Sequence, residues 1–204
     1  MRLLRLLTTA LGILSVLTGA ARADDVKSAK KQFPLEGTFI NHAVGPPFDG
    51  SILEIVHPGF SLGTEYVWKE GRWGALVQGL RAGYYHNKYD SRAFFLLSSI
   101  GYRFTLGFGL FAEAAPALGY IRLYHPTDIW RLNAQGEYEK AKDKGKSDLM
   151  LSTEIGLGFD FKRKWGWPLV AFLRYQFFIH LSDTPAPDTH WLAMLQAGVK
   201  VFIW

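Results

Sequence analysis

Cysteine is absent from the sequence. That removes two options for an exported chain, a disulfide framework and a lipid-bearing cysteine anchor. Long apolar runs are scarce too. The one near the start, from Leu6 to about Leu17 in "MRLLRLLTTALGILSVLTGAARA", is short for a membrane helix, which needs about 20 residues. It follows Arg2 and Arg5 and closes on Ala21-Arg22-Ala23, so residues 1–23 read as a secretory signal peptide cut after Ala23. Charge of one dominant sign is missing as well. The chain has 23 Lys+Arg against 18 Asp+Glu, and loss of Arg2, Arg5 and Arg22 leaves 20 against 18. An excess that small excludes the basic footprint of a nucleic-acid-binding protein. A chain exported without disulfides must be held together by something else.

What the sequence has in quantity is aromatic residues, 15% of the chain, and 21 glycines. Apart from Gly12, Gly19 and Phe33, they follow a polar lead-in, residues 24–34, that opens with "DDVKSAKKQ". From residue 35 to 204 apolar residues recur with the period of two that marks strands. In "FSLGTEYVW", Phe60, Leu62, Thr64, Tyr66 and Trp68 share one face. In "LMLSTEIGLGFDF", Leu149, Leu151, Ile155, Leu157, Phe159 and Phe161 oppose a face carrying Ser152, Glu154 and Asp160. Such faces are too long and apolar for a small sandwich with a wetted side. They suit a barrel wall with lipid outside and a crowded polar interior. A soluble lipid-binding barrel would carry the reverse pattern.

Strands are expected at residues 35–43, 57–68, 73–87, 92–105, 108–124, 149–161, 166–181 and 190–203. The first alternates poorly in "LEGTFINHA"; the even strand number of bacterial barrels argues for it. The joins then sort into two sets. "KEGRWG", "TLGFG" and "KRKWGW" are tight, whereas Val44–Val56, His86–Arg92, His125–Asp148 and Ser182–Thr189 are longer or more polar. Trp68, Trp73, Phe104, Phe108, Phe161, Trp165, Trp167 and Trp204 gather at the tight-turn end, and Tyr84, Phe94, Tyr120, Tyr124, Phe177 and Trp191 toward the other. Two aromatic belts are expected where amphipathic rings meet headgroups. The fold class is therefore all-β, an eight-stranded antiparallel transmembrane β-barrel with short periplasmic turns and longer extracellular loops. Pro116, mid-strand, cannot donate to a ladder and is expected to mark a bulge.

Taking the more polar parity as inward puts Glu65, Arg81, Arg103, Glu113, Glu154, Asp160, Arg174 and Lys200 in the lumen. Charges enclosed in a narrow barrel must be paired. Neighbouring strands offer Glu65 with Arg81, Arg103 with Glu113, and Glu154 with Arg174; Lys200 needs Glu154, Glu65 or a residue on the first strand. An eight-stranded barrel is about wide enough for side chains to fill. Inward glycines, among them Gly63, Gly79, Gly101 and Gly156, leave room for long arginines.

In architecture, residues 35–204 resemble the small eight-stranded outer-membrane proteins of the OmpA transmembrane-domain and OmpX type. That resemblance implies location in the outer membrane. It also implies a closing-strand signal for the insertion machinery, filled here by Gln196, Gly198, Val201 and Ile203; Trp204 falls on the opposite parity. The implied partners are outer-membrane lipid, lipopolysaccharide and that machinery. Neither cofactor nor metal is implied, and the chain is expected to be a monomer with a structural or surface-interaction role through its outer loops.

Two alternatives come from the same sequence. One is a narrow pore. The other is a lipid A-modifying enzyme, because "FIHLSD" resembles the His-x-Ser of barrel deacylases, with His180, Ser182 and a downstream carboxylate, Asp183 or Asp188. A histidine that activates a serine can hydrolyse esters. The parity of Arg174 and Gln176, however, points His180 and Ser182 at the lumen, and the glutamate of that pattern is missing. His42, His57, His86, His125 and His190 lie near strand ends, where single histidines are expected to be solvated; only His125 and His190 have scope to meet. The third long loop carries Lys140, Lys142, Lys144 and Lys146, partners for lipopolysaccharide phosphates, on a segment expected to be solvated and flexible.

Overall fold

The computed structural model describes residues 33–45, 48, 52, 56–133, 135–181 and 191–202. The signal peptide, most of the lead-in, Ser182, Asp183, Asp188, His190, Ile203 and Trp204 lie outside the described residues.

Eight long strands close into one barrel: β1 (Pro34–Val44), β2 (Pro58–Glu70), β3 (Gly74–His86), β4 (Arg92–Thr105), β5 (Leu110–Tyr124), β8 (Lys146–Asp160), β9 (Leu169–Leu181) and β10 (Leu192–Phe202). All pairings are antiparallel between neighbours in the chain, save that β5 pairs with β8 across the third long loop and β10 pairs with β1 to close the wall. Closure gives each strand a partner on both sides, which is what a chain needs in a medium that cannot hydrogen-bond to its backbone. The weakly patterned first strand is real. It is held by β10 from Pro34↔Phe202 to Val44↔Leu192 and by β2 on its other edge.

Two additions lie in the joins. The third long loop contains a hairpin, β6 (Ile129–Leu132) with β7 (Tyr138–Ala141), turned at Asn133. No strand was expected in this solvated loop: Asn133 Oδ1 accepts from the backbone N–H groups of Gln135 and Glu137, and Gly136 takes a positive φ of 82°, so the turn is set locally. The join after β8 holds a single helical turn, α1 (Phe161–Trp165).

Pro116 does not make a bulge. The β4–β5 ladder passes from Ser99↔Ala117 to Tyr102↔Ala114 in one register, and β8 pairs Pro116 with Thr153 without a shift. The strands stay close at this row because Gly101 has no side chain; a Cβ there would lie 2.4 Å from both the carbonyl oxygen of Ala114 and the Cβ of Ala115. The register shift is elsewhere, at Trp68 on β2, between Val67 and Lys69. Bulges of this kind collect at barrel rims.

Alternation sorts the side chains as a membrane wall requires. On β10, Lys200 is 1% exposed while Val199 and Val201 on either side are 44% and 41% exposed. Leu35, Phe39, Leu62, Leu80, Leu96, Leu118, Leu157 and Leu173 likewise face outward. Trp68, Trp73, Phe104, Phe108, Trp165 and Trp167 ring the tight-turn end, and Phe94, Tyr120 and Trp191 lie exposed toward the other.

Candidate functional site: the filled lumen and the long-loop rim

Parity along each strand assigns a depth to each inward side chain. On β1 the order from the tight-turn end is Glu36, Thr38, Ile40, His42. On β10 it is Phe202, Lys200, Gly198, Gln196, Met194, Leu192. Charged residues therefore fill the tight-turn half, and apolar residues with a histidine fill the half below the long loops.

Glu65 is the hub of the charged half. Arg103 reaches its two carboxylate oxygens through Nη1 at 2.6 Å and Nη2 at 2.5 Å, and Lys200 Nζ lies 2.5 Å from Oε2. Such two-pronged guanidinium–carboxylate contacts are among the strongest hydrogen bonds in proteins. Arg103 also donates from Nε to Glu113 at 2.9 Å. Arg174 donates to Glu36 at 3.0 Å and stands 3.6 Å from Glu154, while Lys200 stands 3.6 Å from Glu36. Arg81 pairs with Glu154 across the lumen. Gln196 accepts from Arg174 at 3.3 Å and donates to Gln176 at 2.5 Å, both on the neighbouring β9, and accepts from Arg81 across the lumen at 3.5 Å.

The pairing thus differs in part from the neighbour-strand expectation. Arg103 meets Glu113, and Glu154 meets Arg174. Glu65 and Arg81 take other partners, because the register sets Glu65 opposite Gly79 and Arg81 opposite Gly63, one inward step apart. Asp160 is not in the network. Its side chain accepts from the backbone N–H of Lys162 at 2.9 Å, capping α1, and lies 3.6 Å from Arg163. Glu36 takes its place, so four carboxylates (Glu36, Glu65, Glu113, Glu154) face four cations (Arg81, Arg103, Arg174, Lys200).

Aromatic rings floor this layer. Phe172 lies beneath both Arg174 and Lys200, 4.6 and 5.2 Å from ring to cation, and Phe111 lies 4.9 Å from Arg103. Such contacts favour cations that have lost their water. The gap bounded by Phe111, Glu113, Phe172, Arg174 and Lys200 is about 10 Å³, room for one water at most. Of the proposed insertion-signal residues, Gln196 and Gly198 have places in this packing. A Cβ on Gly198 would lie 2.6 Å from the Phe172 ring, and Gln196 is 1% exposed; Val201 faces outward.

The other half of the lumen is a plug. Ile40, Phe95, Leu97, Ile121, Met150, Phe178 and Met194 are buried against one another. The expectation of solvated histidines fails for two of them. His42 is fully buried, its ring stacked 4.0 Å from that of Tyr85, and Asn87 Nδ2 lies 3.3 Å from its Nδ1. His57 is 9% exposed, its Nδ1 3.0 Å from the His42 carbonyl oxygen. Both sit on the inward parity of their chain segments; the poor alternation of the first strand hid that for His42, as it hid Glu36. No cluster of potential metal ligands occurs among the described residues.

His180 is partly buried at the top of β9. Its Nδ1 lies 3.0 Å from Asp148 Oδ2 on β8, so its carboxylate partner comes from the neighbouring strand. Lys146 stands 3.8 Å from the same oxygen. The base of the third loop is tied down near by. Asp143 accepts from the backbone N–H groups of His125 and Gly145, at 2.7 and 2.8 Å. The Gly145 contact first, with that of His125, lowers the Asp143 carboxyl below its ordinary value. Lys140 pairs with Asp128 at 2.8 Å, while Lys142 and Lys144 are exposed.

A closed eight-stranded wall, apolar outside and charged within, defines the class: a small membrane-spanning β-barrel of the outer-membrane type. Comparison with solved structures agrees on the fold. Neisserial surface protein A is 14% identical, with a TM-score of 0.55 over 84% of this chain and 97% of that one. The outer membrane enzyme PagL aligns at 11% identity and a TM-score of 0.47, over 82% and 99% of the two chains. Ail, the attachment invasion locus protein of Yersinia pestis, aligns at 10% and 0.45, over 86% and 100%. No family model and no curated protein matches the sequence.

Proposed function

We propose that this protein is a sealed outer-membrane barrel that works by interaction at the cell surface, with the β6–β7 hairpin as its main contact element. The filled lumen carries this reading. A charged layer, an aromatic floor and an apolar plug leave no described channel for a solute, so the chemistry on offer is that of the outer rim. The hairpin pairs Trp130 with Lys140 and Leu132 with Tyr138, which puts these four on one face. Trp130, Leu132 and Tyr138 are 57%, 60% and 71% exposed. Aromatic side chains that stay rigid and half apolar are favoured at binding surfaces. Lys142 and Lys144 below them add positive charge for lipopolysaccharide phosphates.

Planar-bilayer recording tests the sealed lumen: the purified protein should give no stable conductance steps, and reproducible steps would sink the proposal in favour of the narrow pore. Replacing residues 129–141 by a short turn should leave the heat-modifiable gel shift of a folded barrel intact and weaken capture by lipopolysaccharide-coated surfaces. Equal capture would remove the hairpin from the proposal.

The His180–Asp148 pair favours a second reading, ester hydrolysis on lipid A. A carboxylate holding one ring nitrogen leaves the other to take a proton from a hydroxyl such as that of Ser182. Mass analysis of lipid A from expressing cells decides it. Acyl loss that disappears in His180→Ala is the result this reading requires, and an unchanged acyl pattern would discard it.

A further inference from the structure

The outer wall carries a groove near the long-loop end, about 610 Å³, running across β2 to β5. Its shape follows from one small residue. In the outward row Leu62↔Ala82↔Leu96↔Tyr120, Ala82 is the only position without a long side chain. The next row toward the loops runs Phe60↔Tyr84↔Phe94↔Arg122. A trough over Ala82 therefore ends against aromatic rings and one guanidinium.

Arg122 is on the lipid-facing parity of β5 and exposed. A charge on the lipid side of a barrel is costly at mid-membrane and tolerated only near the interface. Its contacts are the Lys144 carbonyl oxygen, 2.8 Å from Nη2, and the Tyr124 ring, 5.8 Å away. Among the described residues no carboxylate pairs with it. The lumen cations are all matched by carboxylates; this one is held in place by a neutral carbonyl and presented outward.

We propose that this groove is a binding site for the lipid anchor of lipopolysaccharide, with an acyl chain over Ala82 and a phosphate on Arg122. Shape and charge complementarity carry the assignment. An apolar trough of this width takes a chain, and an uncompensated guanidinium at its mouth takes a phosphate, to which it donates two parallel hydrogen bonds. The occupant is fixed by depth. The groove opens at the long-loop end, which faces the outer leaflet, and there the phosphates of this glycolipid lie at the level of the aromatic belt. The inference rests on that orientation of the barrel, and the site is separate from the hairpin.

The test is retention of lipid by the purified, detergent-solubilised barrel, read by native mass spectrometry with bisphosphorylated lipid A, dephosphorylated lipid A and phosphatidylglycerol. The wild type should hold bisphosphorylated lipid A in preference to the other two. Arg122→Gln should lower that retention roughly tenfold, the scale of one charge-assisted contact, and abolish the preference for phosphate. Ala82→Phe should lower retention of both lipid A forms. Each variant must keep the heat-modifiable shift of the folded barrel, and a barrel lacking residues 129–141 should retain lipid as the wild type does. Equal retention of all three lipids, or no effect of Arg122→Gln in a folded barrel, would reduce the groove to ordinary annular lipid. Loss on hairpin deletion alone would move the contact to the loop. Either outcome overturns the proposal.

Discussion

Glu65 shows how the lumen is held and where it is vulnerable. It is 4% exposed and accepts from two cations on strands β4 and β10. Removing one partner of a buried ion pair leaves a charge with no solvent, which costs about 3–5 kcal/mol. Glu65→Ala is therefore expected to lower the unfolding midpoint strongly in urea titrations of the lipid-embedded barrel, because it leaves Arg103 with Glu113 alone and Lys200 with Glu36 alone, 3.6 Å away. Lys200→Met should cost less, since Arg103 still satisfies Glu65 and Arg174 still satisfies Glu36. If Glu65→Ala is as stable as the wild type, the network is not what holds the interior. Seven of these eight charges were legible from parity alone, because the barrel strands after β1 alternate cleanly. Glu36 was not, because Gly37, Phe39 and Asn41 give the outward face of β1 no consistent character. Asp160 was misplaced for a different reason: its inward parity is correct, but it falls at the last residue of β8, where a helix cap outcompetes an ion pair.

At the scale of elements, the strands were readable and the loop was not. Period-two alternation is a property of the strand itself, so seven strands stood out and barrel closure supplied the eighth. The hairpin is built from "IWRL" and "YEKA", each too short to show a period. What sets it is turn chemistry at Asn133 and Gly136 and the anchor at Asp143. That anchor makes the base of the loop sensitive to acid. The carboxyl of Asp143 titrates lower when the loop is folded than when it is not. Its contribution is thus fully present above the ordinary aspartate range and is lost as the pH falls through the lowered value. The protection factors of the His125 and Gly145 amides, exchange rates corrected for the intrinsic pH dependence, should be high at neutral pH and fall in acid below the ordinary aspartate range. Asp143→Asn should remove that acid dependence, and an identical profile in the variant would show that Asp143 is not the anchor.

For the molecule as a whole, the two halves of the lumen do different work. The charged half fixes the strands relative to one another through directional bonds, and the apolar half excludes water beneath the long loops. The sequence carried the first plainly and the second poorly. Nothing in the spacing of His42, His57 and Phe178 reveals that His42 meets both others; those contacts arise only when the start of β2 and the end of β9 are brought beside the end of β1 in a closed wall. The proposed function uses surfaces the fold leaves free, the hairpin face and the wall groove, and neither is marked by a motif.

Lys200 gives one more consequence. Its two carboxylate partners are on β1 and β2, whereas its own strand comes last in the barrel. An open sheet with β10 still detached from β1 holds a lysine and two glutamates that cannot yet neutralise one another. The wall is electrically complete only at the moment the seam shuts. The lumen charges therefore act as a latch that favours the closed barrel over an open sheet.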